Sequence, residues 1–450
     1  MQRPTFPYLR ELEASQWLSR SEIEQLQLRK LNRLLALALS HSPWHAARIR
    51  AANLVDAVNS GAVTLKELQT LPTMSKADAR ANCERIAWQG VPGGAHRSNT
   101  GGSSGEPLIF YYGRERQASD AAGRMRARRW WGVEPGEKEA YIWGAPVELS
   151  NTDRIKTIRD RMLNHLVLNA FTMKAHQMDD YLEVLGRWQP VCMYGYASSI
   201  ALLATHAETK NLKLKLRRLK VICTTGENLY PDQREVISRV FGVPVANEFG
   251  SRDIGFMAHE SPCSQMLFLS ESHILEVLDE QGQPVPAGSA GEAVITGLTS
   301  SAQPFIRYRT GDVVRLSSLA SSDPRGLHVI EQVEGRKTDF VIAADGTVMH
   351  ALAVIYVLRG FNGIAQFKCI QHTVCDFEVQ IVPNAQWEFA APARIAHELR
   401  ARLGETVRVN VVLADTIPAE ASGKHRYVVS HVDLEKALAY GGGLSAAHCL

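Results

Sequence analysis

The sequence of 450 residues predicts an α/β fold that has a large N-terminal domain and a small α+β C-terminal domain. Strands alternate with helices between about residues 114 and 255, a pattern typical of mixed or parallel sheets flanked by helices. From residue 270 onward, strand–turn–strand patterns with Gly/Pro turns indicate a β-rich subdomain. A new strand follows Glu334, so we place the two domains at 1–334 and 335–450.

Composition narrows the class of protein. The chain is 45% hydrophobic and 22% charged, as in ordinary globular proteins, and its formal net charge of +3 argues against a broad nucleic-acid-binding face. No apolar run is long enough for a membrane span, and the first residues have no signal-peptide core. The seven cysteines are scattered without a CxxC motif, which predicts reduced thiols and a cytoplasmic location.

The N-terminal third is predicted to be mostly helical. Residues 21–50 have helical spacing, and Ser21 with Glu24 has the pattern of a capping box. LPTMSKADAR at 71–80 is a turn that leads into a helix. LIFYY at 108–112 is predicted to be a strand, and helices are predicted over 114–131 and 174–188. The arginine cluster in the first of these helices is interpreted as a solvated face: Arg124, Arg126, Arg128 and Arg129.

The centre of the chain alternates strands and helices. VCMYGYASSIALLATHAETK predicts a strand, a turn and a helix, and LKVICTTGENL predicts a buried strand that ends in a glycine turn. PDQREVISRVFG predicts a helix with proline at its start, and VPVANEFGSRDIG predicts a further strand. Since ligands bind beyond the carboxyl ends of parallel strands, TTGEN and NEFGSRD are candidate binding segments.

SNTGGSSGEP at 98–107 combines three glycines with hydroxyl residues. Exposed backbone amides and hydroxyls in such a loop suit an anion, above all phosphate. The alternative is a surface linker, because Gly/Ser stretches commonly have that role. The strand that follows directly favours the phosphate-binding turn. The segment is not a Walker loop, since no GxxxxGK[ST] motif occurs.

Six motifs follow one another along the chain: TGGSSGEP at 100–107, TTGEN at 224–228, EFGSRD at 248–253, YRTGD at 308–312, GRKTD at 335–339 and SGKHR at 422–426. This ordered series resembles the core motifs of the adenylate-forming enzymes, the superfamily of acyl-CoA synthetases, peptide-synthetase adenylation domains and luciferase. The resemblance spans about residues 70 to 430. The LPTMSKADAR segment and the Gly-Ser-Arg-acid form of the central motif are similar to the phenylacetate–CoA ligase branch, especially its capsule-biosynthesis-associated subgroup.

The resemblance implies a nucleotide-binding site. The glycine-rich loop corresponds to the loop that wraps the ATP phosphates, although Gly101 stands where family members commonly have a hydroxyl residue. Asp312 would accept both ribose hydroxyls, and its alternative role is that of an aspartate in a β-turn. The TTGEN residues match the turn beside adenine, or form a simple strand-end turn. The residues implied are Thr100, Gly101, Gly102, Ser103, Ser104, Gly105, Gly226, Glu227, Asn228 and Asp312.

EFGSRD matches the superfamily motif whose acid binds Mg²⁺. Asp253 matches that acid, and one carboxylate suffices for a cation that also binds phosphates. Arg252 replaces the usual threonine; it either contacts phosphate or pairs with Asp253 or Glu248. The remaining motif residues are implied to line the nucleotide site: Glu248, Phe249, Gly250 and Ser251.

Two further motifs imply a moving C-terminal domain. Lys424 matches the lysine that bridges the substrate carboxylate and the α-phosphate, and its alternative role is that of an exposed loop lysine. Arg336 matches the motif arginine at the domain junction. Family members usually have Asp or Lys where Thr338 stands, so the hinge residue is uncertain. Rotation of the small, mobile domain would bring Lys424 in for adenylation and remove it afterwards.

The resemblance therefore implies an ATP- and Mg²⁺-dependent ligase for a carboxylic acid, with CoA as the first-choice acceptor. Carrier-protein phosphopantetheine, or an amine or sugar acceptor, remains an alternative, and a non-enzymatic nucleotide sensor is the most remote one. Candidates for an aryl pocket, which equally suit core packing, are Trp143, Tyr194, Tyr196 and Phe249. His259 and Cys263 suggest a metal site, with an ordinary polar loop as the alternative.

Overall fold

The structure is a computed structural model that describes residues 4–100, 108–143, 159–170, 173–212, 214–227, 229–279, 281–319, 321–334, 340–417 and 427–432. Its helices are α1 Thr5–Ser15, α2 Arg20–His41, α3 Pro43–Ala51, α4 Val55–Ser60, α5 Leu65–Leu68, α6 Lys76–Ala81, α7 Cys83–Ile86, α8 Arg114–Trp130, α9 Ala175–Trp188, α10 Ala197–Thr209, α11 Pro231–Phe241, α12 Leu352–Arg359 and α13 Ala391–Leu403.

The strands follow in chain order: β1 His96–Asn99, β2 Ile109–Tyr112, β3 Glu139–Trp143, β4 His165–Asn169, β5 Cys192–Gly195, β6 Val221–Thr224, β7 Val245–Ser251, β8 Gly255–Glu260, β9 Met266–Phe268, β10 His273–Leu278, β11 Ala290–Gly297, β12 Tyr308–Leu316, β13 Val329–Glu334, β14 Phe340–Ile342, β15 Val348–His350, β16 Ile364–Thr373, β17 Asp376–Pro383, β18 Arg408–Leu413 and β19 Val428–Ser430.

Contacts divide the chain into two units. Unit 1 contains the described residues within 1–102, 107–135 and 246–335, and unit 2 contains those within 136–245 and 336–450. The predicted division at 334/335, and the mobility of the smaller domain, stay predictions.

Unit 1 is built on antiparallel strands in the order β10-β11-β12-β13-β9-β8-β7. Its core includes Phe268, Ile295 and Phe305, all fully buried. β1 and β2 form a separate antiparallel hairpin. The predicted strand–turn–strand at 273–297 is confirmed as β10 and β11, with His273 opposite Gly297.

The N-terminal helices of unit 1 correct one prediction. The capping box is formed by Ser19 and Glu22, not by Ser21 and Glu24. Ser19 has an extended backbone, and its side chain accepts a hydrogen bond from the Glu22 amide, as an N-cap residue requires. The helix predicted over 21–50 is two helices, because Pro43 cannot continue α2 and instead occupies the first turn of α3.

The arginine cluster of α8 also differs from its prediction. The Arg126 side chain is 2% exposed, forms an ion pair with Glu271, and donates a hydrogen bond to the Leu12 carbonyl at 3.0 Å. The charge pattern did not reveal this burial, because α8 packs against α1 and has no broad solvated face at Arg126.

Unit 2 contains a parallel sheet in the order β6-β5-β3-β4. Helices α9, α10 and α11 connect and flank these strands, as the alternating pattern predicts, and their buried residues include Leu182, Leu203 and Ile237. The C-terminal part of unit 2 adds the β14–β15 hairpin and a sheet in the order β18-β17-β16-β19, in which β16 and β17 are antiparallel. The predicted α/β fold class is thereby confirmed.

The cysteines are partly as predicted. Cys83, Cys192, Cys223, Cys263 and Cys369 are free thiols. Cys375 is disulfide-bonded, so the prediction of reduced thiols is wrong for that residue. In the described part of the chain, no helix has the length and apolar character needed to cross a membrane.

Candidate active site

The EFGSRD motif ends β7 and turns into β8. The two strands pair antiparallel, with Glu248 opposite His259 and Ser251 opposite Gly255. A Cβ on Gly250 would lie 2.8 Å from the Gly255 carbonyl oxygen, so only glycine allows the strands to approach this closely. The Ser251 hydroxyl accepts a hydrogen bond from the Ile254 amide at 3.2 Å. We call Ser251–Ile254 the acid turn.

Asp253 is held from two sides in the acid turn. The residue is 8% exposed, and the Tyr308 hydroxyl donates a hydrogen bond to its Oδ2 at 2.7 Å. The buried Arg116 guanidinium donates to the backbone carbonyls of Asp253 and of Arg252, the latter at 2.6 Å. The carboxylate therefore has a fixed position, and its hard oxygen atoms fit a magnesium ion that also binds phosphate.

Asp253 and Glu248, the predicted ion-pair partners of Arg252, contact other residues instead. The Arg252 side chain is exposed, and it makes no ion pair with another residue of the described part. Glu248 is paired instead with Arg124, whose Nε lies 3.4 Å from Oε1. An exposed guanidinium beside a buried carboxylate is compatible with phosphate contact, which stays a prediction. Phe249 is 8% exposed and packs in the core of unit 1.

Asp312 lies in a bulge of β12, not in a turn between strands. Arg309 pairs with Val294 and Val313 pairs with Glu292, so the three residues 310–312 of β12 stand opposite the single residue Ala293 of β11. Gly311 has a φ of 76°, and the Asp312 amide donates to the Thr310 hydroxyl at 3.2 Å. The Thr310 hydroxyl in turn donates to the Ala293 carbonyl at 2.9 Å. Bulges redirect side chains near active sites, as a ribose-binding carboxylate requires.

The glycine-rich loop connects the two strands of the β1–β2 hairpin. Thr100 is 8% exposed; its amide donates to the Leu108 carbonyl at 2.9 Å, and the Leu108 amide donates to its hydroxyl at 3.0 Å. Two hydrogen bonds thus join Thr100 and Leu108 next to the ends of the hairpin strands. Gly101, Gly102, Ser103, Ser104 and Gly105 lie outside the described residues.

In unit 2, TTGEN follows the carboxyl end of β6. Gly226 has a φ of 80°, and a Cβ there would approach the Tyr196 ring to 3.1 Å. The Glu227 carboxylate accepts a hydrogen bond from the Ser198 amide, in the first turn of α10, at 2.6 Å. A carboxylate at this end stabilises the helix through its exposed amides and dipole. Glu227 therefore has a structural role in addition to the nucleotide role implied by the motif.

Aromatic rings meet at the ends of β3 and β5 in unit 2. Trp143 stacks on Tyr196 with ring centroids 4.4 Å apart and planes 13° apart, and on Tyr194 at 5.7 Å and 21°. We call Trp143, Tyr194 and Tyr196 the aromatic stack. The sequence placed these three candidates at separate points of the chain, and the structure brings them together. Phe249, the fourth candidate, lies in unit 1.

Several predicted residues lie outside the described part of the chain: Asn228, Arg336, Thr338 and Lys424. No group of three or more His, Cys, Asp or Glu side chains that could hold a metal ion occurs among the described residues. His259 is buried, which lowers the pKa of its imidazole, and its Nδ1 lies 2.8 Å from the Glu260 carbonyl oxygen. Cys263 is exposed.

Sequence reasoning missed Arg116 and Tyr308 as residues of this site. Tyr308 stands inside YRTGD, so its place in a recognised motif was a usable signal. Arg116 lies among the many arginines of α8, and no spacing rule separates it from them. Burial lowers the pKa of the Arg116 guanidinium, an effect that the nearby Asp120 carboxylate opposes.

The chain resembles known proteins along most of its length. The family model described as CapK C-terminal domain matches residues 341–431. Protein CapK of Staphylococcus aureus is 20% identical over 416 residues, which cover 92% of this chain and 90% of that protein. The phenylacetate-coenzyme A ligase of Aromatoleum evansii is 26% identical over 206 residues, 43% of this chain and 44% of that enzyme.

A solved structure shows the same fold. The 2-hydroxyisobutyryl-CoA ligase, in complex with 2-HIB-AMP and CoA in the thioesterification state, aligns with a TM-score of 0.62 at 19% identity. The alignment covers 93% of this chain and 92% of that one. The resemblance inferred from the six motifs is confirmed: the chain is homologous to CapK and to the phenylacetate-coenzyme A ligases, and its fold is that of the adenylate-forming enzymes.

Proposed function

We propose that the protein is an ATP- and Mg²⁺-dependent ligase that activates an aromatic carboxylic acid and transfers the acyl group to the thiol of CoA. In the first step, a carboxylate oxygen of the acid attacks the α-phosphorus of ATP. The bond from that phosphorus to the oxygen bridging to the β-phosphate breaks, and pyrophosphate leaves. In the second step, the thiolate sulfur attacks the acyl carbonyl carbon, AMP leaves, and the thiol proton passes to solvent.

The observation that carries the proposal is the hydrogen bond between Tyr308 and Asp253. These residues belong to two motifs separated by 55 positions in sequence, YRTGD and EFGSRD. Tyr308 and Asp312, the residue proposed to bind ribose, both lie in β12. The buried contact therefore connects β12 to Asp253, the residue proposed to bind Mg²⁺. A nucleotide that uses both groups needs them on one rigid support, and the sheet of unit 1 supplies it.

The residues have complementary roles in this proposal. Asp312 accepts the ribose hydroxyls, the loop after Thr100 binds the β- and γ-phosphates, and Lys424 stabilises charge on the α-phosphate during adenylation. Asp253 would hold Mg²⁺, which when bound neutralises phosphate charge. The hydrogen bond from Tyr308 fixes the Asp253 carboxylate but leaves lone pairs available for a metal ion, since a carboxylate has about four lone-pair sites.

The aromatic stack supports an aromatic acid. Its flat surface favours another ring through dispersion and offset stacking. The names of the phenylacetate-coenzyme A ligase relatives and of the 2-hydroxyisobutyryl-CoA ligase support CoA as the acceptor. A carrier-protein phosphopantetheine, or an amine or sugar, is the alternative acceptor.

The first experiment measures pyrophosphate release from ATP and Mg²⁺ with a panel of aromatic, aliphatic and hydroxylated carboxylic acids. We expect aromatic acids to give the highest kcat/KM. If no acid of the panel stimulates release, the ligase proposal is wrong; if aliphatic acids are preferred, the aromatic assignment is wrong.

The second experiment identifies the acceptor and tests Lys424. Acceptor-dependent AMP release is compared for CoA, a holo carrier protein, amines and sugars, and we expect CoA to be the most effective. Lys424→Ala should lower adenylation by about 100-fold or more, as for the loss of one well-placed electrostatic donor. Thioester formation from pre-made acyl-adenylate should persist. An equal loss in both half-reactions would contradict the proposed alternation of the small domain.

A further inference from the structure

We infer that Tyr308 and Arg116 are positioning residues that fix the Asp253 carboxylate for its ligand, Tyr308 through the side chain and Arg116 through the backbone. The inference rests on the proposed function, because it assigns a purpose to the neighbours of the proposed metal ligand. Neither residue needs to contact nucleotide or metal for this role.

The Tyr308 hydroxyl restricts the carboxylate directly. The O–H···O⁻ contact to Oδ2 is 2.7 Å long, and Tyr308 is 1% exposed. A charge-assisted bond of this kind is stronger when it is shielded from water. Because Oδ2 accepts this hydrogen bond, rotation of Asp253 about χ2 is restricted. Oδ1 is therefore held in one orientation for binding a cation.

Tyr308 can serve as a fixed point because it is itself held on several sides. Met74 bridges to it: the Met74 amide donates to the Arg307 carbonyl at 2.7 Å, and the Arg309 amide donates to the Met74 carbonyl at 2.9 Å. The Phe305 ring packs edge-on against the Tyr308 ring at 4.9 Å. The LPTMSKADAR segment, which contains Met74, thereby stabilises the strand that contains YRTGD.

The residue before Tyr308 has an unusual backbone conformation. Arg307 has a φ of 54°, which costs energy for a residue with a Cβ. Its buried guanidinium pairs with Glu276 at 2.9 Å and donates to the Gln69 carbonyl at 2.6 Å. Burial raises the pKa of Glu276, and the arginine opposes that shift. The ion pair holds the strained bend from which the Tyr308 side chain projects.

Arg116 fixes the other side of the acid turn. Its guanidinium binds two consecutive carbonyls, those of Arg252 and Asp253, and its Nε lies 3.6 Å from the Asp120 carboxylate. The other oxygen of Asp120 accepts a hydrogen bond from the Phe256 amide at 3.2 Å. α8 thus contacts the backbone of the acid turn at Arg252 and Asp253 and the backbone of β8 at Phe256, which restricts movement of the turn.

Tyr308→Phe tests the inference, because it removes one hydroxyl and keeps the ring. Tyr8→Phe is the matched control: its hydroxyl also donates to a carboxylate in unit 1, that of Glu115 at 2.8 Å, between α1 and α8. Binding of Mn²⁺ to the protein with a non-hydrolysable ATP analogue is measured by electron paramagnetic resonance. Metal-free nucleotide binding, thermal melting and the Mg²⁺ dependence of pyrophosphate release complete the set.

We expect Tyr308→Phe to weaken Mn²⁺ binding and to raise the half-saturating Mg²⁺ concentration by about tenfold or more, the size of one hydrogen bond to a charged group. Metal-free nucleotide binding should stay within about twofold, and Tyr8→Phe should leave both metal readouts unchanged. Arg116→Lys is a second variant for the case in which Tyr308→Phe folds poorly. It keeps the positive charge but loses the simultaneous hydrogen bonds to two carbonyls, so it should shift the same readouts in the same direction.

The inference is overturned if Tyr308→Phe binds Mn²⁺ as the wild-type protein does, or if Tyr8→Phe produces the same shift. Failure of the proposed function looks different: the wild-type protein releases no pyrophosphate with any acid. The wild-type protein could bind Mn²⁺ with the analogue but lack ligase activity, while Tyr308→Phe binds Mn²⁺ more weakly. That result would support the inference and contradict the ligase proposal. Absence of metal–nucleotide binding by the wild-type protein would overturn both.

Discussion

The acid turn and the aromatic stack are stabilised by different kinds of contact. In the acid turn, buried hydrogen bonds from Tyr308 and Arg116 fix individual atoms of Asp253 and Arg252. In the aromatic stack, ring planes only 13° to 21° from parallel present a broad apolar surface. Hydrogen bonds are directional and depend on exact residue types, whereas stacked rings tolerate exchange among similar shapes. The contacts of the acid turn therefore constrain its residue types, whereas those of the aromatic stack leave more room for exchange.

Acid pH should produce the largest difference between the two units. In unit 1, His45, His273 and His328 are buried, and burial lowers their pKa values to about 3, about 4 and about 4. At His45, the neighbouring Arg48 guanidinium lowers the pKa further. In unit 2, the His206 Nε2 lies 2.9 Å from the Asp179 carboxylate, to which the ring can donate a hydrogen bond.

The sign follows from the direction of these shifts. The unfolded imidazole has a pKa of about 6.5, so folding favours the neutral ring. The stabilisation is fully present above about pH 6.5 and is lost as the pH falls toward the folded values. At pH 5 we expect a loss on the order of 2 kcal/mol for each of the three histidines. Hydrogen exchange at pH 7 and pH 5 should show unit 1 opening before unit 2; the reverse order would contradict the prediction.

Asp312→Ala, in unit 1, should have the next largest effect. Loss of two charge-assisted hydrogen bonds to ribose should weaken ATP binding by about 2–4 kcal/mol, with imperfect additivity. Calorimetric titration with ATP measures the change, and Asp312→Asn, which keeps one acceptor oxygen, should lose less. Unchanged ATP affinity in the folded Asp312→Ala protein would remove Asp312 from the nucleotide site.

Local sequence patterns predicted the secondary structure well. The strand–turn–helix pattern at 191–210 is confirmed as β5 and α10, and the helix with proline at its start is confirmed as α11, because hydrophobic period and Pro/Gly placement are local properties. The capping box was assigned two residues too far along the chain, since Ser19 and Ser21 both precede a glutamate by three residues and sequence alone does not rank them.

Long-range contacts were less accessible to sequence reasoning. The motifs predicted Asp253 and Asp312, but nothing local indicated that Tyr308 would donate to Asp253 or that Arg116 would bind the turn. The burial of Arg126 against Glu271 was missed for the same reason, because a charged helix face in sequence looks alike whether solvent or another helix covers it. The roles of Lys424, Arg336 and the glycine-rich loop stay predictions.

Trp143→Ala tests whether the aromatic stack controls the acid alone. Removing the ring that stacks on both Tyr194 and Tyr196 should lower kcat/KM for an aromatic acid by about 10- to 100-fold, through lost apolar contact and ring stacking. ATP affinity should stay within about twofold. Trp143→Phe keeps a ring and should retain most of the activity. An equal fall in ATP affinity and in acid turnover would show that the two regions are not separable.

Glu227→Gln should have the smallest effect, and it separates two roles of one residue. The carboxylate accepts the Ser198 amide hydrogen bond at the N-terminus of α10, and the amide of glutamine keeps an acceptor but loses the charge that the helix dipole favours. We expect a loss of about 0.3–1 kcal/mol in unfolding free energy. Glu208→Gln is the control near the other end of the same helix, where Glu208 forms a solvent-exposed pair with Arg239 that should contribute little to stability. ATP affinity is then measured for both variants. If Glu227 only caps the helix, both variants should bind ATP equally well. A selective loss of ATP affinity in Glu227→Gln would indicate that the carboxylate also contacts the nucleotide.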